Sequence, residues 1–383
     1  MTPVAKEDFL ASGEATRSLL VSPAIVVTGA GAISRLGEIA RTFGRHALVI
    51  GGSHSYPSAR EALEASLAEA GVAFQVTTYG QDCCEPELDR LVAIERVQQI
   101  DLVVGVGGGK ALDTAKLAAH RMGLPVITVP TSAATCAAWT ALSNVYSPGG
   151  TWLYGVPLPT NPNAIVVDHA LVATAPPRLL AAGIADSMAK WVESSASVDP
   201  ASADAMTLSA LEMARFIYER LRLVGETAYD QAMRGQGALE LSQAIDANVQ
   251  LAGTVGGLGG ARCRSVVAHA VCNALTTEPG HGQSWHGEKV AFGIVVQRML
   301  QGFTDEQLTE LVRFFAAIGV PVTLQGLGVR DEAHAIERIA QATVRPGSSA
   351  HLLPGGVAVQ QVAEAIRRAD ALGRAHTPRS LSV

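Results

Sequence analysis

Short apolar runs alternate with helix-like segments through the first half of the chain. The runs are typical of strands because they are short, rich in β-branched residues and bounded by glycine or proline. They cover residues 24–27, 47–50, 74–79, 102–106 and 125–129. Strands separated by helical patterns indicate βαβ units. We therefore predict a mainly parallel sheet with helices between its strands.

Helical spacing dominates the second half, where strand-like alternation disappears after about residue 180. The glycine-rich stretch 253–260 predicts a sharp connection between helices. We expect an α/β domain over residues 1–180 and an all-helical domain over residues 181–383, since a chain of 383 residues suits two domains. The predicted helices cover residues 181–197, 202–222, 229–252, 261–275, 287–303, 305–318 and 356–372.

Composition and charge exclude several classes of protein. Hydrophobic residues make up 48% of the chain and charged residues 17%, which excludes a disordered chain. A net charge of −6 gives no sign of a nucleic-acid partner. The five cysteines form no Cys-x-x-Cys pair, which indicates a reducing compartment. Without a membrane-length apolar run or a signal-peptide pattern, we expect a cytoplasmic protein with no membrane partner.

Three consecutive glycines follow the apolar run 102–106, and a helix-like pattern begins near Lys110. Gly107, Gly108 and Gly109 lack the Cβ atoms that would keep a ligand away from the backbone. The first N–H groups of the following helix are unpaired and favour an anion such as a pyrophosphate. A tight strand-to-helix turn is the alternative interpretation, because a glycine triplet alone is a weak signal.

Glycine or hydroxyl groups also follow two other predicted strands. Ligands of parallel sheets bind beyond the carboxyl ends of the strands. Several such loops in one crevice favour the interpretation as a dinucleotide-binding site over the interpretation as simple strand-to-helix turns. The three loops are Gly51-Gly52, Gly107-Gly108-Gly109 and Pro130-Thr131-Ser132.

Asp186, His269 and His286 are candidate metal ligands in the helical half. Asp186 and His269 lie in apolar helical contexts, where a carboxylate needs a partner. Two imidazoles and one carboxylate form a catalytic divalent-metal set that leaves room for water. Their separations match no short zinc motif, and histidines with satisfied hydrogen bonds in the core are the alternative.

An ordered series of motifs runs through nearly the whole chain. Its members are Gly29-Ala30-Gly31-Ala32-Ile33; Gly107-Gly108-Gly109-Lys110 with Asp113 and Lys116; Pro130-Thr131; Leu142-Ser143; Gly183-Ile184-Ala185-Asp186; Ala268-His269-Ala270 with Asn273; and His286-Gly287 with Val290, Ala291 and Gly293. The series resembles the glycerol dehydrogenase branch of the iron-containing (group III) alcohol dehydrogenase family. Within that branch, segments 133–140, 255–259 and 344–346 look closest to the hydroxycarboxylate dehydrogenase A type.

The resemblance implies a Rossmann-like N-terminal domain and an all-α C-terminal domain, the dehydroquinate synthase-like architecture, with the active site in the cleft between them. It places Asp186, His269 and His286 at the metal-binding and catalytic positions. Iron-dependent members carry another His one turn after the Asp, where this chain has Lys190. This difference implies a three-ligand zinc site, with iron, nickel or manganese as alternative metals.

The resemblance also implies a nicotinamide coenzyme. NAD-using glycerol dehydrogenases have an Asp after the second strand, whereas this chain has Gly52 followed by Ser53, so NAD and NADP both stay open. We expect Asp113 either to order the glycine loop or to contact the nicotinamide, and ordering is favoured. The candidate coenzyme contacts are Gly51, Ser53, Gly107, Gly108, Gly109, Lys110, Asp113, Thr131, Ser132 and Thr135.

Cys136 stands where glycerol dehydrogenases have a substrate-contacting Asp. Loss of that carboxylate removes an acceptor for polyol hydroxyls and a repulsion against anions. The resemblance therefore implies an NAD(P)-linked dehydrogenase for a 2-hydroxy acid or small polyol, with 2-oxo acid reduction favoured. Cys136, Trp139 and Arg262 are the candidate substrate contacts, and Arg264 is a second arginine near the metal helix.

Three other functions are weighed against this one. Glycerol dehydrogenase proper differs only in substrate. A non-redox cyclase of the dehydroquinate synthase type needs several basic residues for a phosphorylated substrate, and these are sparse in 254–290. A binding protein with a defunct site would not need to keep all three candidate ligands. The resemblance implies a small-molecule partner and a homo-oligomer.

Overall fold

A six-stranded parallel sheet forms the centre of the N-terminal half. The computed structural model describes residues 18–80, 82–330 and 332–376. In that part of the chain the strands are β1 Ile25–Gly29, β2 His46–Gly51, β3 Ala73–Thr78, β4 Leu102–Gly107, β5 Val126–Pro130, β6 Leu142–Tyr146, β7 Trp152–Pro157 and β8 Ala164–Asp168. The sheet has the order β1-β8-β5-β4-β2-β3, while β6 and β7 form a separate antiparallel hairpin.

Helices cover both faces of the sheet and form the second half. They are α1 Leu36–Phe43, α2 Tyr56–Glu69, α3 Glu85–Gln98, α4 Gly109–Met122, α5 His169–Val172, α6 Pro177–Ser197, α7 Ala205–Met233, α8 Leu239–Asp246, α9 Ala252–Gly259, α10 Val267–Leu275, α11 His286–Leu300, α12 Asp305–Ala317, α13 Glu332–Thr343 and α14 Val359–His376. Within the described residues, no helix is both long and apolar enough to cross a bilayer.

The burial of the strands explains why the sheet was predictable. Strands β4, β5 and β8 are buried along their whole length, as expected for central strands with helices on both faces. The apolar residues on one side of the sheet belong to one core cluster, and those on the other side divide between a second cluster and the large core of the helical half. The five predicted strands are confirmed, and β6, β7 and β8 add three that the pattern did not indicate.

The helical half corrects two predictions. Residues 205–233 form one helix, so the predicted break near residue 225 is wrong. Residues 252–259 also form a helix rather than a sharp connection. Tertiary packing explains this result, because a Cβ on Gly253 would lie 2.5 Å from Trp139 and a Cβ on Gly257 would lie 2.3 Å from the Leu20 carbonyl oxygen. Close approach of neighbouring groups outweighs the low helix propensity of glycine here.

The two halves are joined through α5 and the start of α6. Strand β8 ends at Asp168, whose carboxylate caps α5 by accepting from the N–H groups of Ala170 and Leu171. The predicted domain boundary at residue 180 falls in the first turn of α6 and remains a prediction. Helix α6 carries Asp186 from this junction into the interior of the helical half, where Asp186 is 4% exposed.

Candidate active site

The glycine loop between β4 and α4 lies against the loop that follows β5. Gly107 has φ +152°, a backbone conformation that favours glycine. Its carbonyl accepts a hydrogen bond from the N–H of Thr131 at 3.0 Å. A Cβ on Gly107 would lie 3.0 Å from Ser55 Oγ, and one on Gly109 would lie 2.9 Å from Thr135 Oγ1. The three predicted loops therefore converge on one crevice.

The start of α4 is suited to an anion. Gly108 is its N-cap and supplies no side chain to accept from the first N–H groups. Thr131 and Ser132 lie buried beside this helix start, and Ser53 is exposed at the end of β2. Lys110 forms an ion pair with Asp82, and its Nζ lies 4.7 Å from the ring centroid of Tyr146. An uncapped helix start beside a glycine loop fits a pyrophosphate.

Asp113 and Lys116 form a buried ion pair behind the loop. Lys116 Nζ lies 3.0 Å from Asp113 Oδ1 and also donates to the carbonyl oxygens of Thr140 and Leu142. Asp113 Oδ2 accepts from the N–H of Asn144 at 3.1 Å. The pair thus holds β6 against α4, and the expected role of Asp113 in ordering the glycine loop remains a prediction. Its carboxylate is engaged with β6, so the structure gives no support to a direct coenzyme contact.

Asp186, His269 and His286 come together from three helices. Asp186 Oδ1 lies 3.2 Å from His269 Nε2 and 3.5 Å from His286 Nε2. One ligand atom from each residue lies within 4.8 Å of the other two. Asp186 Oδ1 is buried and has no hydrogen-bond partner of good geometry among the described residues. A carboxylate oxygen and two imidazole nitrogens converging on one point fit a divalent metal with an open position.

Two glycines allow these helices to approach so closely. A Cβ on Gly183 would lie 1.8 Å from the Ala133 carbonyl oxygen, in the loop after β5. A Cβ on Gly287 would lie 1.8 Å from the Ala182 carbonyl oxygen on α6. These contacts bring Asp186 close both to the cofactor crevice and to the start of α11, where His286 is the first residue.

Buried Glu193 orients His269. Its Oε2 lies 2.6 Å from His269 Nδ1, and its Oε1 accepts from the backbone N–H groups of Val266 and His269. A carboxylate that accepts from Nδ1 leaves the lone pair of Nε2 available to a metal. Sequence reasoning missed Glu193, although its place seven residues after Asp186 puts it on the same face of α6.

We expect E193Q to weaken zinc binding by about 10- to 100-fold, because glutamine cannot accept all three hydrogen bonds with full charge. Competition of the apoenzyme with a chromophoric chelator measures the zinc Kd. E219Q, which alters an exposed carboxylate on α7, is the control and should bind zinc normally. An unchanged zinc Kd in E193Q would refute the orienting role.

The buried charges of the cluster shift the pKa values of its members. Burial lowers the pKa of His269, but the Glu193 and Asp186 carboxylates outweigh burial and raise it to about 9. Burial raises the pKa of Asp186, yet its contacts with His269, His286 and the charge of Lys190 bring it well below the usual range. A metal that binds here displaces protons from the imidazoles, so its affinity falls as the pH falls.

The three predicted substrate contacts, Cys136, Trp139 and Arg262, do not all lie near the metal cluster. Cys136 lies near the cluster, and burial raises the pKa of its thiol, which therefore stays neutral. The indole N–H of Trp139 donates to the Val21 carbonyl at 2.8 Å and its buried ring packs on Gly253, so its role as a substrate contact remains a prediction. Arg262 is exposed, and no described contact joins its side chain to the cluster. Arg264, rather than the exposed Arg262, lies within electrostatic range of Cys136.

A parallel sheet with an anion-binding loop, joined to helices that carry a carboxylate–imidazole metal site, is typical of a metal-dependent dehydrogenase. Residues 23–169 match the family described as iron-containing alcohol dehydrogenase. Glycerol dehydrogenase of Escherichia coli O6:H1 (strain CFT073) is 37% identical over 361 residues, which cover 93% of this chain and 97% of that protein.

Two further comparisons agree with this match. Hydroxycarboxylate dehydrogenase A of Escherichia coli (strain K12) is 37% identical over 274 residues, or 71% of this chain and 75% of that protein. The crystal structure of a probable glycerol dehydrogenase from Sinorhizobium meliloti 1021 gives a TM-score of 0.84 at 31% identity, covering 94% of this chain and 100% of that chain.

The chain belongs to the iron-containing alcohol dehydrogenase family, in its glycerol dehydrogenase-like branch, and is an alcohol dehydrogenase. The resemblance and the fold class inferred from the sequence are thus confirmed. Membership of this family implies NAD(H) and a divalent metal.

Proposed function

We propose that this chain is a zinc-dependent, NAD(P)-linked dehydrogenase that interconverts 2-hydroxy acids and 2-oxo acids. The observation that carries the proposal is the cluster of Asp186, His269 and His286 beside a neutral Cys136. A neutral thiol at this wall offers no carboxylate to accept from polyol hydroxyls and no charge to repel an anion. The similarity to hydroxycarboxylate dehydrogenase A of Escherichia coli supports the same substrate class.

Each part of the site has a task in this reaction. The N–H groups at the start of α4 would hold the pyrophosphate, and Thr131, Ser132 and Thr135 offer hydroxyls on the nicotinamide side of the crevice. Asp186, His269 and His286 would hold the metal, while Glu193 keeps His269 in the binding orientation. When bound, the metal supplies Lewis-acid polarisation and the nicotinamide supplies or accepts a hydride. No described side chain forms an obvious general base, which leaves proton transfer to water in the cleft.

Glycerol dehydrogenase activity is the second candidate. The relative of Escherichia coli O6:H1 that bears this name aligns over 93% of this chain, a wider span than the hydroxycarboxylate dehydrogenase. The two candidates share the fold, the metal ligands and the coenzyme crevice. They differ in the substrate groups that the wall around Cys136 must bind.

A substrate panel with the zinc-loaded enzyme separates the candidates. Oxidation of NADH and NADPH is followed with 2-oxobutyrate, 2-oxoglutarate, dihydroxyacetone and glycolaldehyde. We expect kcat/KM for the better 2-oxo acid to exceed that for dihydroxyacetone by about tenfold or more, a difference of about 1.4 kcal/mol. A preference for dihydroxyacetone would favour glycerol dehydrogenase. Absence of coenzyme oxidation with every carbonyl compound would refute both and favour a non-redox reaction.

Ser53 offers a test of the coenzyme site. We expect S53D to lower the ratio of kcat/KM for NADPH to that for NADH by about tenfold, because a carboxylate there repels a 2′-phosphate and accepts from a ribose hydroxyl. S58D, which places the same charge on an exposed residue of α2, is the control. An unchanged ratio in S53D would place the adenosine ribose elsewhere.

We further propose a homo-oligomer, on the basis of family resemblance alone. Light scattering of the purified full-length chain gives its mass in solution, and a monomer would contradict this proposal.

A further inference from the structure

Lys190 is a buried cation without a counter-anion in hydrogen-bonding contact. It lies on α6 one turn after Asp186, and its residue is only 6% exposed. Among the described residues, no hydrogen bond or ion pair joins its Nζ to another group. The ammonium itself keeps some contact with solvent, since Nζ is not among the described polar atoms that are both fully buried and without a partner. Its place in the candidate active site indicates that a ligand supplies the missing contact.

Lys190 lies on the face of α6 that carries the candidate metal ligand Asp186. Residues four apart on a helix share one face, so Lys190 lies beside Asp186, about 6 Å further along the helix axis. Glu193, three residues further along α6, lies on the same face, so Lys190 stands between two carboxylates of this helix face. Iron-dependent relatives have a histidine at this position by the resemblance described above, and a protonated lysine cannot replace it as a metal ligand.

Arg264 is a second cation within electrostatic range of Lys190 and Cys136. Its Nε donates to the Gly256 carbonyl at 3.2 Å, which fixes the guanidinium against α9. Burial lowers its pKa, and Lys190 and Cys136 both lie within range of its charge. Because a guanidinium stays protonated in proteins, Arg264 and Lys190 are two positive charges within electrostatic range of Cys136.

Neither Lys190 nor Arg264 forms an ion pair with a carboxylate among the described residues. Asp186 and Glu193 carry the two carboxylates in direct contact with the histidines of the cluster. A divalent ion held by the cluster would take up much of the negative charge of these two carboxylates. An anionic ligand would then be the counter-charge for Lys190 and Arg264, because a neutral Cys136 provides none.

We propose that Lys190 binds the carboxylate of the substrate and is the residue that selects 2-oxo acids over neutral carbonyl compounds. The proposal rests on the proposed function, since it identifies the anchor for that substrate class. In a 2-oxo acid the carboxylate is bonded directly to the reacting carbonyl carbon. A cation one helical turn from a metal ligand suits this spacing. Arg264 adds a second positive charge and contributes to the same selection.

The test compares K190Q and K190R with the wild-type enzyme, all loaded with zinc. The first readout is the ratio of kcat/KM for 2-oxobutyrate to that for glycolaldehyde. The second is the Kd of oxamate, a non-reacting 2-oxo acid analogue, measured by NADH fluorescence of the enzyme–NADH complex. R234Q, which removes an exposed charge near the end of α7, is the control. Zinc content and thermal midpoints verify that each variant is folded and loaded.

We expect K190Q to lower the ratio and to raise the oxamate Kd by about 30- to 100-fold, as for loss of a hydrogen bond between charged groups. K190R should recover most of the wild-type ratio and most of the oxamate affinity, because arginine keeps the positive charge. If the wild-type enzyme reduces 2-oxo acids and K190Q changes neither readout, the role of Lys190 is overturned and the proposed function stands. R262Q is measured in the same way. If R262Q rather than K190Q lowers the ratio and raises the oxamate Kd, the role of Lys190 is also overturned. A wild-type enzyme that neither reduces 2-oxo acids nor binds oxamate overturns both.

Discussion

Replacement of Asp186 by asparagine is expected to abolish tight zinc binding and to lower kcat/KM by about three orders of magnitude or more. Asp186 Oδ1 lies within 3.5 Å of both imidazole Nε2 atoms and contributes the only negative charge of the three candidate ligands. An amide oxygen keeps the shape but loses this charge. The metal then lacks the ligand that neutralises part of its charge in a buried site.

Two measurements verify this prediction. Metal analysis of the dialysed protein gives zinc per chain, and steady-state kinetics with saturating NADH give kcat/KM. D230N removes an exposed carboxylate of α7 and should retain zinc and activity. Full zinc occupancy in D186N with nearly normal turnover would show that Asp186 is not a metal ligand.

Gly183→Ala is expected to lower the thermal midpoint by roughly 5 °C or more, as for an overpacked core. The added Cβ would lie 1.8 Å from the Ala133 carbonyl oxygen and 2.6 Å from Asn248 Nδ2. The closer atom belongs to the backbone, so it cannot rotate away as a side chain would. Helix α6 must therefore shift relative to the loop after β5. Because α6 also carries Asp186, we expect kcat/KM to fall by about 100-fold.

Calorimetry and kinetics on the same preparation test both parts of this prediction. Gly237→Ala is the matched control, because a Cβ there meets no atom within 4 Å. It should melt and react as the wild-type enzyme does. An unchanged thermal midpoint in G183A would contradict the prediction. It would mean that α6 and the loop after β5 have room for a Cβ, although that Cβ would lie 1.8 Å from the Ala133 carbonyl oxygen.

The parallel sheet was predictable because its buried strands are short apolar runs that end in glycine or proline. The last strand, β8, has the same character, but no helical pattern precedes it, and the alternation that marks βαβ units is absent. The helix at 252–259 was not predictable from composition. Its glycines meet Trp139 and Leu20, which are distant in sequence, and only tertiary contact reveals why glycine is needed.

The metal cluster required more than sequence spacing. Asp186, His269 and His286 lie on separate helices, so no short motif connects them, and only the family resemblance grouped them. The sequence indicates the residues around the metal ligands, Lys190 and Glu193, less clearly. Asp186, Lys190 and Glu193 recur at helical spacing on an apolar helix, and three ionisable residues on one buried face indicate a site. Arg262 and Arg264 are two residues apart, and sequence alone could not show which one faces inward.

A crystal structure of the zinc-loaded enzyme, with anomalous diffraction recorded at the zinc edge, tests the central claim most directly. We predict one strong anomalous peak per chain, about 2.0–2.2 Å from a carboxylate oxygen of Asp186 and from Nε2 of His269 and His286. A peak bound by other residues, or no peak in an enzyme that reduces carbonyl compounds at full rate, would contradict the account.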